Sequence, residues 1–474
     1  MINKVKFPSV TRRKISISSF KNGMKLNSSE EISDLSTAKF ITNFDYSKGV
    51  LSNGIGSSKF RDFDFSSLNG SKMLGVYPYV RFNHETLSYE ERIVIYASDK
   101  YLYQASALGG AFTKLTNFSF DSTPICIEYN YLDNDILLLS STNGLFYLDN
   151  YTIFKVEGAP DITSICIHNE RLFATARGEG KSLWFSDDFN PTNWSISLDE
   201  AGFIDFFDNS GRLLKVVSFL DYVYVFREYG ISRVTASGGQ EDFSSVNLFQ
   251  KQGKIIGSSI TECGDFIVLL TSAGIYTFNG YSTSKILSEL DDFLVGVDND
   301  NAKGVFSGNT FYLKLKLKVN GEILDCLLSY DIYKKSYQIS TNLNVLDFAL
   351  FTSSVNEIIY IPNNELVVLK LDNSGRYNNV PLEKKWVSIT SNLGIQTRLK
   401  TITKISLNSN KNVKLNIYAD DKFISYDIKG TGNNFIFPMI KGDNFKFEII
   451  SKNSDIKIYN LTLYVDYIKE IYNE

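Results

Sequence analysis

The 474-residue sequence predicts an all-β fold, an irregular β-propeller of about seven blades followed by a small C-terminal β-sandwich, on three observations. First, a hairpin template recurs: Asp135-Ile-Leu-Leu-Leu to Gly144-Leu-Phe-Tyr-Leu, Asp221-Tyr-Val-Tyr-Val to Gly230-Ile-Ser-Arg-Val, and Asp265-Phe-Ile-Val-Leu to Gly274-Ile-Tyr-Thr-Phe share one interval of nine residues. An apolar run, a tight turn closed by Gly and a second alternating run form an antiparallel pair. Second, degenerate copies extend the array, so that units begin near residues 76, 121, 161, 212, 256, 301 and 344, a spacing that fits one four-stranded blade. Third, the rhythm changes after the polar stretch Asp372-Asn-Ser-Gly-Arg-Tyr-Asn-Asn-Val-Pro.

Each element follows in chain order. Residues 1–36 form a basic, Ser-rich arm, because Lys4, Lys6, Arg12, Arg13, Lys14, Lys21 and Lys25 all precede the first acid, Glu30. The arm is read either as a tail tied down by one or two strands or as a contact to an acidic neighbouring subunit or to nucleic-acid phosphates. Residues 37–384 form the propeller, with 37–75 as its leading and closing strands: Thr37 to Gly56 holds two strands around Lys48-Gly49 and is placed to complete the last blade, which removes exposed sheet edges. Residues 385–474 form the sandwich, since six strands from Trp386-Val-Ser-Ile onward alternate Val, Leu and Ile with Lys, Asn and Thr, the mark of sheets with one wet face.

Composition fits. Apolar residues at 43% and charged residues at 22% are globular values, and aromatics at 14% suit pleated sheets. No apolar run reaches the roughly 18 residues of a membrane helix, so no membrane span is expected, and Met1 to Lys25 lacks the apolar core of a secretory signal. A net charge of −4 argues against an overall nucleic-acid-binding surface.

Signals for chemistry are sparse. Cys126, Cys166, Cys263 and Cys326 are too far apart for a CxxC pair and read as free thiols buried in strands. Only two histidines, His84 in a loop and His168 at a strand end or turn, argue against a zinc site or His-dependent nucleophile. Arg177-Gly178-Glu179-Gly180-Lys181-Ser182 lacks P-loop spacing and leads into a strand. Asp292, Asp298 and Asp300 lack the downstream Glu of a calcium loop and read as an inter-blade connection. Lys314, Lys316 and Lys318 alternate along the wet face of one strand. Accordingly no cofactor, metal or catalytic residue is expected.

The succession Ile167-His-Asn-Glu-Arg-Leu-Phe, Leu183-Trp-Phe-Ser-Asp-Asp-Phe-Asn-Pro-Thr-Asn-Trp194, Val225-Phe-Arg-Glu-Tyr-Gly-Ile, Gly253-Lys-Ile-Ile-Gly-Ser-Ser-Ile and Gly274-Ile-Tyr-Thr-Phe-Asn-Gly resembles phage β-propeller virion proteins of the tail-nozzle and tail-stabilising type. The resemblance covers most of the chain. It implies a noncatalytic virion component, made in the bacterial host cytoplasm and located in tail or neck, whose copies form a ring around the DNA exit channel. The implied partners are further copies, adjacent portal, adaptor or tail proteins, and packaged DNA through non-specific contact. Tyr129, Tyr131, Phe189 and Trp194 are the candidate interface aromatics, and the seven basic residues of the arm the candidate inter-subunit or DNA contacts. The alternative is a carbohydrate-binding or glycoside-cleaving propeller. Ser186-Asp187-Asp188-Phe189-Asn190-Pro191-Thr192-Asn193-Trp194 resembles the Asp-box turn of such enzymes, but it occurs once, and adjacent carboxylates on a strand point to opposite faces.

Overall fold

The computed structural model describes residues 10–24, 35–197, 200–250, 253–352, 356–395, 399–430 and 432–468. Seven antiparallel sheets follow one another along the described chain, with first strands Met73–Asn83, Ile125–Tyr131, Ile162–His168, Leu213–Phe219, Thr261–Glu262, Lys303–Ser307 and Val345–Thr352. We number these sheets blades 1 to 7. The first strands of neighbouring blades lie innermost and meet around a ring, and blade 7 returns to blade 1. The charge-assisted link from Lys303 Nζ to Asp347 Oδ1 (2.5 Å), and the bond from Val76 N to Asp347 Oδ2 (3.1 Å), stitch blades 6, 7 and 1 at that return.

The three repeated templates are the middle hairpins of blades 2, 4 and 5. Gly144 (φ 128°) and Gly274 (φ 126°) take up backbone angles that a side chain resists, whereas Gly230 is not in that region. In each pair the reversal itself is made by the two residues before the glycine: Thr142-Asn143, Glu228-Tyr229 and Ser272-Ala273.

Blade 7 draws its fourth strand from the other end of the propeller sequence. Gly56–Lys59 pairs antiparallel with Leu369–Asp372, the Tyr360 hydroxyl donates to Ser57 Oγ (2.7 Å), and both side chains are buried. The closure expected of the segment before the first blade is thus made by four residues. A Cβ on Gly56 would lie 2.5 Å from Arg376 N and 2.6 Å from Arg376 O, so this strand seats only with Gly at its start.

The rest of the leading segment lies elsewhere. Where the sequence suggests a separate arm and propeller strands, Val10–Ile17 pairs with Lys457–Ile468, Ala38–Thr42 with Lys384–Ser388, and Phe44–Asp45 and Leu51–Asn53 join the same sheet as Lys457–Ile468. The two sheets of the sandwich therefore contain both ends of the chain, and their inner faces meet through residues such as Ile402, Leu463, Leu415, Phe447 and Trp386. The reason is alternation: Ile17 is buried and Ile15 packs on the core, Arg12 and Lys14 fall on the opposite, exposed face, and Arg13, two residues before Ile15, is exposed beyond the core and reaches Gly394 O. Local pattern announced a strand there but not its distant partner.

Sandwich and propeller share one apolar cluster, which joins Ile405 and Phe445 to Leu270 of blade 5 and Leu313 of blade 6. Asn43, buried with φ 58°, fixes the seam: it accepts from Thr341 N (2.9 Å) and donates to Glu383 O (2.6 Å), while its own N–H donates to Ile339 O (2.9 Å).

Candidate docking surface

In a four-stranded meander the turn after the first strand and the turn after the third open at the same end of the sheet. Around the ring these turns therefore share one face, and cross-blade bonds hold them together: His84 Nε2 with Asp133 O (2.9 Å), Tyr129 OH to Glu170 O (3.2 Å), Asn169 Nδ2 to Ala236 O (3.2 Å) and Tyr224 OH to Gly280 O (3.1 Å).

Large apolar side chains stand exposed on this face in every blade from 1 to 5. Leu87, Leu132 and Leu220 occupy first turns, at 76%, 75% and 51% exposure, and Leu108, Tyr151, Phe189, Ile196 and Tyr281 occupy third-to-fourth-strand connections. The leucines carry a second cost. Leu87, Leu132 and Leu220 have φ of 51°, 51° and 47°, and Asp133 and Asp221 follow at 64° and 61°, the left-handed region natural to Asn or Gly. A side chain other than Gly, Asn or Asp there costs about 1–2 kcal/mol per residue. The chain turns elsewhere without that cost, through Asn320-Gly321 in blade 6. Two-residue Leu-Asp turns are thus both strained and exposed, which isolated folding does not favour.

Charge on this face is one-sided across blades 1 to 5, up to Lys334 and Lys335 on the third-to-fourth turn of blade 6. The turns of blades 1 to 5 there contain Glu85, Asp133, Glu170, Asp221, Glu241, Asp242 and Asp265, all exposed, and no Lys or Arg. The opposite turns mix signs, with Lys100, Arg177, Lys181, Arg212 and Lys254 among Asp99, Glu179 and Glu228.

The aromatics expected at interfaces divide. Phe189 is exposed (65%, φ 54°) and lies on this face. Tyr131 is half-buried against blade 2, Tyr129 is buried, and Trp194 is buried with its indole N–H donating to Pro191 O (3.0 Å). Trp194 and Tyr129 are therefore packing residues of blades 2 and 3 and not surface anchors, because the polar turn around Asn190 folds its tryptophan inward. Arm residues Arg12, Arg13 and Lys14 lie on the edge strand of the sandwich, where Arg12 clasps Asp466 through two bonds (2.7 and 2.8 Å) and Arg13 donates to Gly394 O (2.8 Å). Lys21 lines a cavity of about 870 Å³ together with Tyr46, Glu289, Lys334 and Tyr337. Lys4, Lys6 and Lys25 lie outside the described residues.

The side chains that suggested chemistry have structural partners. Asp188 is paired with the buried Arg171 (2.5 Å), and Asp187 accepts from Asp188 N (2.9 Å) and Asn193 Nδ2 (3.3 Å). His168 is buried at a strand end beside Ser218 Oγ (2.9 Å), and burial holds its imidazole below the ordinary value. Cys166, Cys263 and Cys326 are buried thiols, whereas Cys126, on the innermost strand of blade 2, is reached by solvent yet is crowded enough by protein for burial to push its thiol up to about 12. Asp300 N caps on Asp298 Oδ1 (3.0 Å) in the connection before blade 6. Among the described residues no group of three or more His, Cys, Asp or Glu side chains is arranged to hold a metal ion, and no helix is long and apolar enough to cross a membrane.

No family model matches this chain, and no curated protein does. Among solved structures it is similar to BBS1N in a crystal with ARL6DN, at 12% identity and a TM-score of 0.40 over 60% of this chain and 86% of that one. It is also similar to Hsv2 of Kluyveromyces lactis, at 9% identity and a TM-score of 0.33 over 57% of this chain and 98% of that one. The propeller assignment itself rests on the seven sheets and their closure described above.

Proposed function

We propose that this chain is a noncatalytic structural subunit of a phage virion, a tail-nozzle or tail-hub ring component whose copies surround the DNA exit channel and dock neighbouring portal, adaptor or tail proteins. The observation that carries this reading is the propeller face studded with strained, exposed leucines, on a body whose sandwich and propeller share one core. Strain combined with exposure is a feature of surfaces completed by a partner. A ring subunit needs large side faces, about 1,000 Å² or more per contact, and no reaction cleft. The carboxylates that favoured glycoside chemistry are engaged in turn geometry, which weighs against the alternative. The test is negative-stain imaging of the concentrated, purified chain together with a glycosidase screen. Closed rings are expected. Glycoside turnover abolished by Asp187→Asn or Asp188→Asn, with the chain still folded, would replace this reading by the enzymatic one.

A further inference from the structure

We infer that the acidic, leucine-tipped turn face of blades 1 to 5 receives the basic N-terminal segment, residues 1–14, of a second copy of this chain. The inference rests on the ring reading and names the two surfaces that meet.

Three observations converge. Leu87, Leu132 and Leu220 are held at φ near 50° with their side chains in solvent, at turns where Asn or Gly costs nothing, so their presence needs a reason outside the isolated fold. The acids of the same turns, such as Asp133, Asp221 and Asp265, have no ion pair among the described residues and no Lys or Arg on the other turns of blades 1 to 5, with Lys334 and Lys335 of blade 6 marking the end of the acidic stretch, so these five blades select a cationic occupant. The chain itself carries a segment of matching chemistry: the apolar Met1-Ile2 is followed by Lys4-Val5-Lys6-Phe7, which alternates basic and apolar residues, and the segment continues into Val10, 66% exposed, with Arg13 and Lys14 on the edge strand of the sandwich. That edge strand is paired within its own copy to Lys457–Ile468. Two different patches on one body make a head-to-tail contact, the kind that generates rings.

The test uses the full-length chain and a fluorescent peptide of residues 1–14, followed by anisotropy. The peptide should bind, more weakly at about 0.5 M than at about 0.05 M salt, and a scrambled peptide should bind at least about tenfold more weakly. Leu87→Asn/Leu132→Asn/Leu220→Asn should lower affinity by about tenfold or more, with a melting temperature unchanged or raised because Asn suits these turns. Asp133→Asn/Asp221→Asn/Asp265→Asn should weaken binding and flatten its salt dependence. Unchanged affinity in both variants, equal binding of the scrambled peptide, or no peptide binding at all overturns the inference. Imaging the same samples separates the two readings. Rings formed equally by wild type and the leucine variant leave the ring reading standing and sink this one; specific peptide binding without rings does the reverse.

Discussion

Closure of the propeller by Gly56–Lys59 can be measured through one buried pair. Tyr360 is wholly buried on the second strand of blade 7, and its hydroxyl donates to Ser57 Oγ on the closing strand at 2.7 Å. Ser57 is 1% exposed, so water cannot replace either partner. Burial pushes the Tyr360 phenol far above its ordinary value, so the donor stays protonated throughout the accessible pH range. Tyr360→Phe leaves Ser57 Oγ without its hydroxyl partner, and Ser57→Ala leaves the phenol without its acceptor. Each should cost about 1–3 kcal/mol, whereas the double variant removes both polar groups and should cost clearly less than the sum.

Amide hydrogen exchange suits a chain of this size, because it reads local opening without requiring one global transition. Protection of the closing-strand amides should fall by about tenfold for every 1.4 kcal/mol lost, while amides of the distant strand Arg171–Ala176 in blade 3 keep their rates. Gly56→Ala should be more damaging, since its Cβ meets backbone atoms at 2.5 and 2.6 Å that have nowhere to move. If Gly56–Lys59 exchanges freely in the wild type, or if the two single effects simply add, the strand is not closing the ring as argued.

Asp208→Asn should cost about 3–5 kcal/mol in blade 4, because Arg227 is 0% exposed and loses the carboxylate it contacts at 2.5 Å. Burial opposes ionisation of Asp208, but hydrogen bonds from Ser210, Arg227 and Asn247 outweigh it and hold the carboxyl well below its ordinary value. A depressed folded-state pKa means stability fully present above the unfolded value near 3.9 and lost as pH falls below it, so the acid limb of a stability profile should flatten in the variant. Asn43→Ala removes the bonds to Thr341 and Glu383 and places Ala at φ 58°, for about 2–4 kcal/mol, and limited proteolysis should then cut more readily at the seam between sandwich and propeller. Lys384 is buried, donates to the carbonyls of Gly375, Leu382 and Asn453, and is pulled down to about 8 by burial. The unfolded chain then binds more protons than the folded one between about pH 8 and 10, so stability from this group rises with pH, and Lys384→Met should remove that rise in paired thermal melts.

The blade rhythm was legible because it is local. Unit starts near 121, 161, 212, 256, 301 and 344 fall within a few residues of the observed first strands at Ile125, Ile162, Leu213, Thr261, Lys303 and Val345, since period-two alternation and turn residues act over ten positions or fewer. What failed was non-local or directional. The pairing of Val10–Ile17 with a strand some 450 residues away follows from which sheet edge is open, and nothing in its own alternation encodes that. Trp194 sits in a polar run that reads as surface, and only the inward fold of the turn buries it. The proposed docking face did leave a signal: Leu132-Asp133 and Leu220-Asp221 interrupt two strands where Asn-Gly or Asp-Gly is the natural reversal. A leucine where a turn demands a left-handed residue is a local rule broken at a structural cost; Leu287 and Leu393 break it while buried, whereas Leu87, Leu132 and Leu220 break it in solvent, and it is the second combination that points to a surface role.

The described residues between Val10 and Lys59 bind the two units into one body. They supply strands to both sandwich sheets and then the closing strand of blade 7, so the chain beginning meets partners between residues 369 and 468. Contacts of that sequence separation carry a large loop-closure entropy, and one leading segment makes both the propeller closure and the sandwich pairing, which couples the two. That coupling has a geometric consequence. The angle between the free sandwich edge at Val10–Ile17 and the turn face of blades 1 to 5 is set by a packed cluster shared across the seam and by Asn43, not by a linker. A heterologous contact between those two surfaces closes into a ring only if the rotation per subunit divides a full turn with no rise, and otherwise runs on as an open filament. A stiff seam keeps that rotation constant, so if the proposed rings form, loosening the seam with Asn43→Ala should turn uniform rings into mixed rings and open arcs before it unfolds either unit.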